Sequence, residues 1–199
     1  MERFEHLSMV VFLILGLGLV RLMTSLGSAM SNNITARTSG REPIRFYWVH
    51  GMLVVMVFVG MVVFWWNAYP LNDTTFMADE KWNLFLYLLF LCSPVTYFLM
   101  SDMLMPKVSD EQQTDLKKYY YDNHQVLMGL ALVLQLFSLL NLVVFFNEAI
   151  GSTRCVSRLL LLVVLTPLLF SKNERLHQVV MSLFFAGFVY TLAKYHLYV

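Results

Sequence analysis

The chain is poor in charged residues. Only 14% of its 199 residues are Asp, Glu, Lys or Arg, against about 25% in a typical soluble domain. A short chain has a large surface for its volume and needs polar groups to cover it. The deficit therefore excludes a soluble globular enzyme. A hydrophobic fraction of 58% also excludes a disordered chain.

Basic residues and cysteines are scarce as well. Fourteen Lys and Arg against 13 Asp and Glu leave a net charge of +1, so there is no basic surplus for nucleic acid. The two cysteines, Cys92 and Cys155, are too few for a disulfide scaffold and have no metal-binding or redox spacing. Phosphate-binding loops, nucleophile elbows and zinc-protease signatures are missing. The sequence thus leans against an enzyme.

Long apolar segments are what the chain has instead. There are six of them, at about 7–26, 46–66, 82–105, 124–146, 155–171 and 177–197. Most reach the ~20 residues with which a helix crosses a ~30 Å hydrocarbon core, and backbone groups in lipid must be satisfied within the chain. We predict an all-α integral membrane protein, one polytopic domain over 1–199 that forms a compact six-helix bundle in a plasma or bacterial inner membrane.

Segment five is the shortest, because a charged residue limits its apolar stretch at each end. These residues are Arg158 and Lys172. We expect these two side chains to snorkel to the two interfaces. With six spans both termini lie on one side, which carries five Lys and Arg against nine on the other. Positive residues favour the cytoplasm, so the termini are predicted on the non-cytoplasmic side.

Two connections are long. Residues 24–45 are rich in Ser, Thr, Asn and Gly, a composition typical of a flexible loop. Ser109 to Gln112 fits a capping box. It predicts a cytoplasmic helix that runs into segment four or lies on the membrane surface.

Three segments begin with a histidine, namely His50, His124 and His177, and the last two open the similar runs HQVLM and HQVVM. This echo suggests three helical hairpins: one–two, three–four and five–six. It would place the imidazoles at one depth, with Asp102 in the same layer. Such a set suits zinc, and a haem between His50 and either of the others is a further hypothesis. The alternative, interfacial histidines with no cofactor, is the leading expectation.

Polar residues inside the spans indicate a candidate functional region. They form a candidate pore or substrate path between helices three, four and five, with kinks at Pro94 and Pro167. Its residues are Ser93, Tyr97, Gln135, Ser138, Asn141 and Thr166. The alternative is that these side chains only hold helices together. Arg21, near the end of segment one, either pairs with Asp102 or snorkels to headgroups.

Three classes of function remain open. The leading one is a small channel or transporter for an ion or small solute. The second is a structural or regulatory membrane subunit that acts through a homo-oligomer or a partner membrane protein. The third is an intramembrane metal-dependent hydrolase that uses the histidine layer and Asp102.

Overall fold

The computed structural model describes residues 3–40, 42–68, 83–106 and 115–195. Over these ranges the chain forms six helices and no strand. They are α1 (Arg3–Thr38), α2 (Trp48–Ala68), α3 (Leu84–Met103), α4 (Leu116–Val144), α5 (Thr153–Phe170) and α6 (Glu174–Tyr195). All six are long and apolar enough to cross a membrane, which is compatible with a polytopic membrane protein.

Four helices, α2, α3, α5 and α6, begin and end within about three residues of the predicted segments. Side-chain caps fix two of the starts. Asn83 accepts a hydrogen bond from the Leu86 amide, and Ser152 accepts one from the Cys155 amide, which satisfies amides that a helix start leaves unpaired. Pro94 and Pro167 lie inside continuous helices.

Helix α1 is much longer than predicted. The expectation of a flexible loop at 24–45 is wrong for residues 24–38, which continue the helix. Packing overrides the weak helix propensity of Ser, Thr and Asn. Ala29 packs on the core, and Asn33 Oδ1 accepts a hydrogen bond from the Ile44 amide at 2.7 Å. The chain then turns at Gly40, whose φ of +68° is typical of a glycine after a helix end.

Helix α4 begins eight residues before the predicted segment. Asp115 caps it by accepting hydrogen bonds from the amides of Lys117 and Lys118. A helical run into segment four is therefore confirmed from Leu116 onward. The capping box at 109–112 lies outside the described residues.

Of the three predicted hairpins, only three–four is among the most extensive helix contacts. These are between α4 and α5, α1 and α3, and α3 and α4, whereas α1–α2 and α5–α6 touch less. Gly18 allows α1 to approach α3 closely, since a Cβ there would lie 3.1 Å from Ser101 Oγ. Such close approach through small residues is a common way to pack helices in lipid.

The two ends of the bundle differ in their residues. Helices α2, α4 and α6 begin at one end, which we call the histidine end because it holds His50, His124 and His177. Helix α5 begins at the other, which we call the arginine end after Arg158. Which end faces the cytoplasm stays a prediction.

Candidate functional site

A cavity of about 130 Å³ lies between α2, α3, α4, α5 and α6. Apolar side chains form most of its wall. The polar residues in the wall come from all five helices and are Asn67, Tyr97, Gln135, Ser138, Arg158 and Thr191. A mainly apolar pocket with a few convergent polar groups is the usual form of a ligand site.

Arg158 is the one charged residue among those that line this cavity. It lies near the start of α5, and its Nη1 donates a hydrogen bond to Gln135 Oε1 on α4 at 3.1 Å. The extensive α4–α5 contact holds the two side chains together. The Arg158 guanidinium lines the cavity through its bond to Gln135, and its snorkelling to the membrane interface stays a prediction. Lys172, at the other end of α5, is exposed.

No carboxylate neutralises Arg158 within the described ranges. The four ion pairs there join Arg21 to Asp102, Arg45 to Glu42, Lys117 to Glu174 and Arg154 to Glu148. A charge withdrawn from water is costly unless it is paired. Among the described residues, the hydrogen-bond partner of this positive charge is the neutral amide of Gln135.

The cavity extends toward the arginine end. Its wall on α2 runs from Leu53 to Asn67, the penultimate residue of the helix. That distance is about 21 Å at 1.5 Å per residue. Gly60 faces Tyr97 inside this stretch, and a Cβ there would lie 2.6 Å from the phenol oxygen. Because glycine has no side chain, the Tyr97 ring can lie against α2 at Gly60 and form part of the cavity wall.

The structure brings together three of the six residues of the predicted path, Tyr97, Gln135 and Ser138. Asn141 and Ser93 lie elsewhere: the Asn141 amide donates to Ser93 Oγ at 3.1 Å in a buried contact between α4 and α3. Thr166 donates to its own helix at the Leu162 carbonyl, on the exposed side of α5. None of these last three residues lines the cavity.

At the histidine end, α4 and α6 share a chain of hydrogen bonds. His177 Nε2 lies 2.6 Å from the Ser171 carbonyl, which can only accept, so this nitrogen carries the proton. A neutral ring then accepts at Nδ1, and the Tyr120 hydroxyl donates to it at 2.9 Å. His124 Nδ1 donates to the Tyr121 carbonyl at 2.7 Å. The protons of His177 and His124 are thus used within the fold.

The three histidines do not form one cluster. His124 and His177 are neighbours with ring centroids 5.8 Å apart, but the Tyr120 ring stands edge-on to both His50 and His177. Asp102 pairs instead with Arg21, Oδ1 to Nε at 2.6 Å. In the part of the chain that is described, no group of three or more His, Cys, Asp or Glu could hold a metal. The zinc and haem hypotheses stay predictions.

Sequence reasoning missed two groups that matter here. One is Arg158, which was assigned to the interface; its position four residues inside the apolar segment was a signal for an inward-facing charge. The other is Tyr120, whose hydroxyl donates to His177 on a different helix. No spacing within α4 could have indicated that contact.

Comparison of the chain with protein-family models, curated proteins and solved structures finds no match. The function is therefore argued from the geometry of the cavity alone.

Proposed function

We propose that this polytopic membrane protein is a transporter for small anions and that the Arg158 cavity is its binding site. The observation that carries the proposal is a guanidinium that faces a cavity inside the bundle with only Gln135 as its hydrogen-bond partner among the described residues. Ionisable residues within a membrane domain usually mark a substrate or ion pathway.

The polar groups of the wall favour an anion. Gln135 uses its carbonyl oxygen to accept from Arg158, which leaves the two N–H groups of its amide as donors. The hydroxyls of Tyr97 and Ser138 add further donors at the same wall. A positive charge surrounded by donors stabilises a negative ligand and repels a cation.

The cavity limits the size of the ligand. A volume of 130 Å³ has room for several water-sized groups, since one water needs about 10–15 Å³ by this measure. A small anion such as a halide, nitrate, bicarbonate or formate is therefore the ligand that we propose.

Passage across the bundle requires a movement at the histidine end. Met56, Val57 and Met100 form the inner wall of the cavity, and the fully buried Tyr120 and Leu104 belong to the core at that end. Access from the arginine end only, followed by a rearrangement at the other, is the scheme of alternating access.

Anion flux into liposomes tests the proposal. The purified full-length chain is reconstituted around a halide-sensitive dye, and quenching is followed after iodide is added, with nitrate and formate as competitors. We expect Arg158→Gln to lower the initial rate by about ten-fold or more, the equivalent of at least ~1.4 kcal/mol.

Arg154→Gln is the matched control. It removes the same charge one turn earlier on α5, from a side chain that is exposed and paired with Glu148, and its flux should equal that of the unaltered chain. A rate no greater than that of empty liposomes, or equal rates in Arg158→Gln and the unaltered chain, would refute anion transport through this cavity.

A further inference from the structure

The Arg158 cavity combines one charged side chain with a wall that is otherwise mostly apolar. The half-buried apolar side chains of this wall come from α2, α5 and α6, and we call them the apolar wall: Val63, Phe64, Leu161, Phe188 and Leu192. No Asp, Glu or Lys among the described residues lines the cavity. A ligand of this site therefore meets a cation and a large apolar surface together.

The Arg158 guanidinium keeps most of its donors for a ligand. Its Nη1 donates to Gln135 Oε1, and within the described ranges this side chain makes no other hydrogen bond or ion pair. A guanidinium holds its N–H groups in one fixed plane, so the N–H groups of Nε and Nη2 remain as a parallel pair. A carboxylate accepts from both members of such a pair, whereas a spherical halide has no second atom to match it. The Tyr97 phenol lies within electrostatic range of the guanidinium and supplies a further donor.

The charge of the site sets the charge of the ligand. Arg158 is the one cation among the described residues that line the cavity. A single carboxylate neutralises it, but a second negative charge on the ligand would lie against the apolar wall without a partner, which is costly. The site therefore favours a monovalent anion.

The wall on α6 also has room for an apolar chain. Gly187 lines the cavity beside Phe188, and a Cβ added to Gly187 would meet no atom within 4 Å. An apolar group placed there covers the Phe188 ring and the rest of the apolar wall, and burial of apolar surface is favourable. A halide or nitrate bound at Arg158 would leave this surface uncovered.

We propose that the ligand of this cavity is a short-chain monocarboxylate. Its carboxylate accepts from the Nε and Nη2 groups of Arg158, and its apolar chain packs on the apolar wall beside Gly187. This inference rests on the proposed anion site and narrows its ligand to one chemical class. The carboxylate matches the planar donor pair, and the chain matches the apolar side of the same cavity.

A homologous series of ligands tests the assignment in the unaltered chain. The purified full-length protein in lipid nanodiscs is titrated by calorimetry with the sodium salts of formate, acetate and propionate, and with sodium chloride. We expect the affinity to rise by about four-fold for each added carbon, the factor that burial of one CH₂ group supplies. Chloride should bind at least about ten-fold more weakly than propionate, because it gains neither the paired hydrogen bonds nor the apolar contact.

Arg158→Lys tests the planar donor pair separately from the charge. Lysine keeps the positive charge but is a point charge without the fixed fork of a guanidinium. The affinity for propionate should fall about ten-fold further than the affinity for chloride. An equal loss for both anions would show that charge alone selects the ligand, and would overturn the assignment.

Gly187→Leu tests the room for the chain. It fills the open space beside Phe188 and should abolish the gain in affinity from formate to propionate. Gly16→Leu is the matched control, since a Cβ on Gly16 also meets no atom within 4 Å and this residue lies outside the cavity wall; it should keep the gain. Size-exclusion profiles establish that both variants are folded.

The results separate this assignment from anion transport itself. Equal affinities along the series, chloride binding as tight as propionate binding, or an undiminished gain in Gly187→Leu would each overturn the monocarboxylate assignment, while iodide flux that depends on Arg158 would still support transport. Propionate binding with the expected series in a chain that moves no iodide would support the assignment and refute transport.

Discussion

The two ends of the bundle use polar side chains in opposite ways. At the histidine end, Tyr120 donates to His177, and His177 donates to the Ser171 carbonyl, so each proton meets an acceptor of the fold. At the arginine end, Arg158 meets only Gln135 among the described residues, and the remaining donors face a cavity.

This difference separates groups whose hydrogen bonds close within the fold from groups that line a cavity. A satisfied buried network rigidifies a core, and an unsatisfied charge costs stability that folding alone does not return. Removal of the Tyr120 ring at the histidine end and of the Arg158 charge at the arginine end should therefore change the free energy of unfolding with opposite signs. His50 is the exception at its own end, since neither of its ring nitrogens has a hydrogen-bond partner among the described residues.

The largest expected effect is at Tyr120, which is fully buried against Tyr47, His50 and His177. Tyr120→Ala removes a large ring from the core and should lower the free energy of unfolding by about 3–5 kcal/mol. Chemical unfolding in detergent, followed by tryptophan fluorescence, measures this. Tyr190→Ala removes the same ring from a site that is 63% exposed and should cost about 0.5 kcal/mol or less. Similar losses in both variants would show that the histidine end is not a structural core.

Gly60 gives the next effect, at the wall of the Arg158 cavity. Gly60→Ala forces Tyr97 to move, because the new Cβ would lie 2.6 Å from its hydroxyl, and overpacking of this kind costs about 1–3 kcal/mol. Gly16→Ala on α1 meets nothing within 4 Å and should be neutral or slightly stabilising. Thermal unfolding midpoints compare the two. A neutral Gly60→Ala would mean that Tyr97 is free to leave the wall.

Removal of the Arg158 charge should change the free energy of unfolding in the direction opposite to the loss expected for Tyr120→Ala. Arg158→Met replaces a half-buried charge, which has no carboxylate partner among the described residues, by an apolar chain of similar length. We expect a gain of about 1–2 kcal/mol in the free energy of unfolding, measured in the same assay, together with loss of anion flux. A large destabilisation by Arg158→Met would instead place this residue with the structural groups of the histidine end.

The smallest effect is expected at the Arg21–Asp102 ion pair. Both side chains are 44% exposed, and exposed ion pairs contribute about 1 kcal/mol or less. Asp102→Asn should therefore shift the unfolding free energy by less than about 1 kcal/mol, and added salt should shrink the difference further. A loss above about 2 kcal/mol would indicate a pair shielded from solvent by lipid.

Hydropathy was sufficient to predict the six helices and most of their ends, because the bilayer dictates both length and backbone pairing. Hydropathy failed to predict structure where tertiary packing determines it. The polar end of α1 is helical because Ala29 packs on the core and Asn33 accepts a hydrogen bond from the Ile44 amide before α2. Nothing in the local sequence of residues 27–38 predicts that contact.

The candidate site was predictable only in part for a related reason. Tyr97, Gln135 and Ser138 were found as polar residues in apolar helices, and they meet in one cavity. The sequence did not show which face of each helix is buried. In α2, Val54 and Val57 are buried whereas Val55 and Val62 are exposed, although all four are the same residue type. The inward turn of Arg158 and the separation of His50 from His124 depend on how each helix is rotated about its own axis, and the sequence does not show that rotation.

The lengths of α4 and α5, the two helices with the most extensive mutual contact, have a consequence for the membrane itself. Helix α5 has 18 residues and α4 has 29, which correspond to about 27 Å and 44 Å at 1.5 Å per residue. The bilayer beside α5 must thin to match it, while α4 extends beyond the hydrocarbon. Acyl chain length then sets how far Arg158 lies from the headgroups, so a thicker bilayer isolates this charge and a thinner one returns it to water.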